Sequence, residues 1–114
     1  AAVTSVLALA LATLAGCNPN CQAACNYVFA NEECGITKPG VDEDELIDDC
    51  ERECNQAMKT AGAVRSLDEF DPDSPMSTKE VFLQNEKEAA IWMDCVMESA
   101  CPRFDDRYCA GGGI

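Results

Sequence analysis

Cys21-Gln22-Ala23-Ala24-Cys25 and Cys50-Glu51-Arg52-Glu53-Cys54 decide the fold of this chain. Each segment sets two cysteines four residues apart, which on a helix places both on one face, one turn apart. The flanking residues favour helices at both places. Asn18 and Pro19 suit a cap and a first helical turn, after which Cys21, Ala24, Cys25, Val28 and Phe29 recur at helical spacing until Gly35. Asp42-Glu43-Asp44-Glu45 offers a capping box and a negative helix start, and Leu46, Ile47, Cys50, Cys54, Ala57, Met58 and Ala61 carry one stripe to Gly62. If the two helices run antiparallel, Cys21 faces Cys54 and Cys25 faces Cys50, because both pairs share one index sum, as a single register requires. The alternative is that these cysteines pair with the C-terminal group.

Such twin staples resemble the helical hairpins of small mitochondrial intermembrane-space proteins and of plant hairpin peptides. The resemblance is architectural, spans the segment from Cys21 to Cys54 and implies no function; it identifies no specific family.

Outward from the hairpin, residues 63–76 are polar and read as a loop. Ser77-Thr78-Lys79-Glu80 forms a second capping box, and Val81, Phe82, Asn85, Ala89, Trp92, Cys95, Val96 and Ser99 continue as a long third helix that stops near Cys101-Pro102. A short C-terminal helix between Arg103 and Cys109 and a mobile glycine-rich tail, residues 110–114, complete the chain. For the remaining cysteines the expected pairs are Cys34 with Cys95 and Cys101 with Cys109, the latter closing a short loop after Pro102. The fold class is all-α: a disulfide-stapled antiparallel hairpin, a third long helix and a short fourth, in one domain spanning residues 17–114.

Upstream of the hairpin, residues 1–31 carry no charge, and residues 1–16 form an apolar run as long as a secretory signal core and shorter than a bilayer span. With neither a starting Met nor a basic segment before it, this run reads as the later part of an export signal; an uncleaved anchor is the other reading. The run ends in Leu14-Ala15-Gly16-Cys17, which resembles the lipobox of bacterial lipoproteins. That resemblance implies cleavage before Cys17, a covalent lipid on its sulfur and a location in the cell envelope. By the sorting rule of enteric-bacterial lipoproteins, the same resemblance implies the outer membrane, because Asn18 and not Asp follows Cys17. Several acyl chains on one residue anchor a protein stably where one chain does so only marginally. Of nine cysteines, removing Cys17 leaves an even set, Cys21, Cys25, Cys34, Cys50, Cys54, Cys95, Cys101 and Cys109, which reads as a structural disulfide framework in an oxidising compartment.

Composition narrows the function further. The net charge is −13, from 21 acids against 8 bases, so the surface lacks the basic footprint that nucleic-acid phosphates require. The chain contains no His, which removes triad hydrolysis and His-containing metal sites. Eight acids lie within residues 42–53; they read as a solvated face. Asp68, Glu69, Asp71 and Asp73 form a more oxygen-rich loop, a weak candidate for a hard cation because the glycine turn of a calcium loop is missing. In residues 89–97 all but Asp94 are apolar, more than one helix stripe requires, so Ile91, Trp92, Met93 and Met97 are the expected contact with a partner protein. The resulting expectation is a non-catalytic, membrane-anchored lipoprotein without a cofactor beyond its lipid, an accessory or structural subunit of an envelope assembly. The alternative is an extracytoplasmic binding protein that holds a metal ion or small ligand in its acidic loops.

Overall fold

The computed structural model describes residues 20–76 and 80–114. Among these residues the chain forms four helices and no strand: α1 (Cys21–Phe29), α2 (Glu43–Met58), α3 (Glu86–Glu98) and the short α4 (Pro102–Asp105). The all-α reading is therefore correct. Residues 1–19, which hold the apolar run and Cys17, and residues 77–79 of the second capping box lie outside the described residues.

The cap of α1 is Asn20, not Asn18: its Oδ1 accepts from the Ala23 N–H at 2.8 Å. After Ala30 the chain turns back, with the Cys34 and Gly35 N–H groups donating to the Tyr27 and Ala30 carbonyls, each at 3.0 Å. A tight turn at residues 38–41 follows, in which Gly40 takes φ +77° behind Pro39. Three acids occupy the first turn of α2, where they complement the helix dipole, but Asp42 makes no side-chain cap bond. Glu43 instead accepts from the Asn31 N–H, tying the start of α2 to the end of α1. Leu46, Cys50, Cys54 and Ala57 are buried on α2 and Cys21, Ala24, Cys25, Val28 and Phe29 on α1. The staples join Cys21 to Cys54 and Cys25 to Cys50, with Cα separations of 5.7 and 5.8 Å, in the antiparallel register read from the sequence.

The third helix begins later than its sequence pattern implies. Val81 and Leu83 are buried while Phe82 and Gln84 are exposed, an alternation of period two that belongs to extended chain. The true cap is Asn85, whose Oδ1 accepts from the Lys87 and Glu88 N–H groups at 3.1 Å and whose Nδ2 donates to the Ala63 carbonyl at 2.8 Å. Residues 63–76 form a loop, as expected, but it delivers Phe70 to the core at 1 % exposure.

The two remaining disulfides correct the sequence expectation: Cys34 pairs with Cys101 and Cys95 with Cys109. Packing decides this against the shorter loop closure. Phe104 of α4 meets Tyr27 of α1 edge to face at 5.9 Å, and the Tyr27 hydroxyl donates to the Ser99 carbonyl at 2.7 Å. Both contacts hold Cys101 beside the α1–α2 connection. Beyond α4 the chain passes through left-handed conformations at Arg107 (φ 69°) and Cys109 (φ 55°) and folds back onto α3, where Cys109 meets Cys95.

The glycine-rich tail is also corrected: it is packed into the fold. Ala110, Gly111 and Gly112 are buried, and the Trp92 Nε1–H donates to the Cys109 carbonyl at 3.0 Å. At Gly112 (φ +60°) a Cβ would lie 2.4 Å from Trp92 Cζ2, and at Gly111 (φ +127°) 2.8 Å from Leu83 Cδ2. The glycines are there because backbone lies directly on the indole.

Candidate functional site

Two carboxylates stand apart from the solvated acids of this chain. Glu88, in the first turn of α3, is completely buried. Arg65 grips it bidentately, Nε to Oε2 and Nη2 to Oε1, both at 2.9 Å, and the backbone N–H groups of Arg65 and Gln84 add bonds at 3.0 and 3.2 Å. Arg65 Nη2 also donates to the Phe82 carbonyl at 2.6 Å, and the guanidinium lies 5.9 Å from the Phe70 ring centre. Burial by itself would push the Glu88 pKa up; the Arg65 hydrogen bonds and the backbone donors outweigh it and hold the carboxyl below its ordinary value. With every acceptor direction taken and no exposed surface, Glu88 is a structural anchor.

Glu53 on α2 is the second. Its Oε2 accepts from the Gly112 N–H at 2.5 Å and from the Leu83 N–H at 3.3 Å, so one carboxylate oxygen holds both the tail and the extended segment before α3. Burial raises its pKa, partly offset by those two N–H bonds, while Glu80 pushes it further up and Lys38 draws it down. Glu53 lies in a cleft of about 420 Å³ between the 38–41 turn, α2 and the tail. Lys38 and Glu80 supply further charge there, Val41, Leu46 and Phe82 supply apolar wall, and Asp49 and Arg52 pair with one another at the rim. A smaller cleft of about 190 Å³ is lined by Asp73, Cys95, Glu98, Ser99 and Arg103.

Of the residues singled out from the sequence, the eight framework cysteines come together in four disulfides. Cys17 lies outside the described residues. The apolar segment of α3 divides. Trp92 (0 %) and Met93 (5 %) belong to the core, so of the four residues expected to meet a partner only Ile91 (37 %) and Met97 (42 %) are accessible. In the acidic loop, Asp71 accepts from the Asp73 N–H and the Ser74 hydroxyl, and Asp68, Glu69 and Asp73 are exposed. Among the described residues no group of three or more His, Cys, Asp or Glu side chains is placed to hold a metal.

Sequence reasoning did not find Glu53, Arg65, Glu88 or the docked tail. Asn85-Glu86-Lys87-Glu88 is itself a capping pattern, which could have moved the helix start to its true place. For Glu53 no local signal exists, since it is one of eight acids in residues 42–53. No family model, curated protein or solved structure matches this chain.

Proposed function

We propose that this chain is a non-catalytic, lipid-anchored subunit of a bacterial envelope assembly, with the stapled helical domain displayed outside the cytoplasm on a lipid carried by Cys17. Four disulfides point to an oxidising, extracytoplasmic compartment. The observation that carries the finer reading is cysteine accounting: those bonds consume eight of the nine cysteines, so the one at the end of Leu14-Ala15-Gly16-Cys17 has no cysteine of this chain left to pair with. A non-catalytic role is supported by the use of the two unusual carboxylates, Glu88 and Glu53, as acceptors for the protein's own backbone and Arg65. Ile91 and Met97, accessible on α3, offer the partner an apolar contact.

Intact mass of the protein extracted from membranes tests the anchor. A chain beginning at Cys17 and carrying acyl groups is expected; a chain that retains Gly16 and has an unmodified thiol at Cys17 refutes it. Cys17→Ala should then release the domain from the membrane fraction without disturbing its four disulfides.

A further inference from the structure

We propose that the cleft around Glu53 binds a small organic cation, an ammonium group on an aliphatic stem. Its volume, about 420 Å³, falls in the range of small-molecule sites. Three features select the class of ligand. The first is a pre-oriented carboxylate: both backbone donors to Glu53 fall on Oε2, which fixes the group, while Oε1 accepts no hydrogen bond from the described residues. An ammonium donor fits that remaining oxygen.

The second is the balance of charge. Asp49 and Arg52 satisfy each other at the rim, leaving Glu53 and Glu80 against Lys38. Among the described residues the cleft therefore carries one uncompensated negative charge, inside a chain of net charge −13, a field that concentrates cations and repels anions. The third is the apolar wall of Val41, Leu46 and Phe82. A hydrated metal ion gains nothing from such a wall and needs more oxygens than two carboxylates offer. A short alkyl stem buries surface against Val41 and Leu46, and the exposed Phe82 ring lining the same cleft is an aromatic group of the kind that attracts a cation.

The test is a titration of the oxidised protein with n-pentylammonium, followed by amide NMR shifts. Pentanoate serves as the stem with the opposite charge and Ca²⁺ as charge without a stem. Saturable shifts confined to residues around Leu46, Glu53 and Gly112 are expected with pentylammonium alone, in the sub-millimolar to millimolar range, a dissociation constant of about 1 mM being typical of a ligand this small. Glu53→Gln keeps an oxygen for the Gly112 and Leu83 N–H groups and should weaken binding about tenfold, the loss of one charge-assisted hydrogen bond. Should that variant lose its fold, Glu80→Gln and Phe82→Ser, at exposed positions, carry the test, each lowering affinity. The proposal is overturned if pentanoate or Ca²⁺ shifts the same amides equally, if no saturable shift occurs by about 10 mM, if the shifts spread to acids that do not line the cleft, such as Asp44, Asp68 and Asp105, or if the folded variants bind as the wild type does.

Discussion

The hairpin of α1 and α2 and the remainder of the molecule are held together by different physics. In the hairpin, two covalent bonds sit one helical turn apart between facing helices, and the contacts follow from helical periodicity within each segment. From Thr60 onward, two disulfides, Cys34–Cys101 and Cys95–Cys109, tie down the C-terminal part, but the segment ahead of them is ordered by single polar groups reaching across the chain. Arg65 grips Glu88, Asn85 ties the start of α3 to Ala63, Glu53 holds Leu83 and Gly112, and Trp92 seats the tail. The first arrangement tolerates the loss of a contact, because the staples restrict the unfolded chain whatever the packing. The second does not, because removing one partner leaves another buried and unsatisfied.

The largest expected effect lies in the second region. Arg65→Ala leaves the Glu88 carboxylate buried without its counter-charge, which should cost about 3–5 kcal/mol. Chemical denaturation of the oxidised variant measures this; a loss below about 1 kcal/mol would place the pair among surface salt bridges and erase the contrast. Next comes the staple itself: replacing Cys25 and Cys50 together by Ala should cost about 2–3 kcal/mol through loop entropy, because Cys21–Cys54 already constrains the unfolded chain. The double variant should keep its α1 and α2 helicity, with Cys21–Cys54 still formed in non-reducing peptide maps.

Gly112→Ala comes third, at about 1–3 kcal/mol, from a left-handed backbone and overpacking against the indole. Because Trp92 is the single Trp, its fluorescence reports tail docking directly, and a red shift that leaves the hairpin's helical signal unchanged is expected. Titration sharpens the comparison with opposite signs. Glu88, held below its ordinary value, contributes stability that is present above the unfolded pKa and lost as pH falls through the folded one. Glu53, raised by burial, takes up its proton earlier when folded, so its ionisation destabilises the neutral-pH fold and acidification towards 4.5 relieves this. Melting temperatures between pH 7 and pH 3 should therefore show wild type gaining on Glu53→Gln as pH first drops, then losing its advantage over Glu88→Gln. The smallest effect is expected at the surface: Ile91→Glu with Met97→Glu should change stability by no more than about 0.5 kcal/mol per site. Met93→Glu, one turn before Met97, should destabilise strongly because it puts a charge in the core.

What the sequence determined by itself is the part governed by local period. Helical spacing, the twin four-residue cysteine intervals and a common register place Cys21 against Cys54 and Cys25 against Cys50, and cysteine parity sets Cys17 apart. The alternation at residues 81–84 was equally local but was hidden by a longer helical pattern that happened to include Val81, Phe82 and Asn85. Tertiary structure alone decided which of Cys34, Cys95, Cys101 and Cys109 meet, since four cysteines beyond a hairpin carry no shared period and their pairing follows from where Phe104 packs on Tyr27. It also decided that Glu53, among the eight acids of residues 42–53, is the one that holds the tail, and that a run of glycines which composition reads as loose is the surface on which Trp92 rests. Composition records what a segment can adopt in isolation; a close backbone approach or a buried carboxylate exists only once a distant partner has arrived.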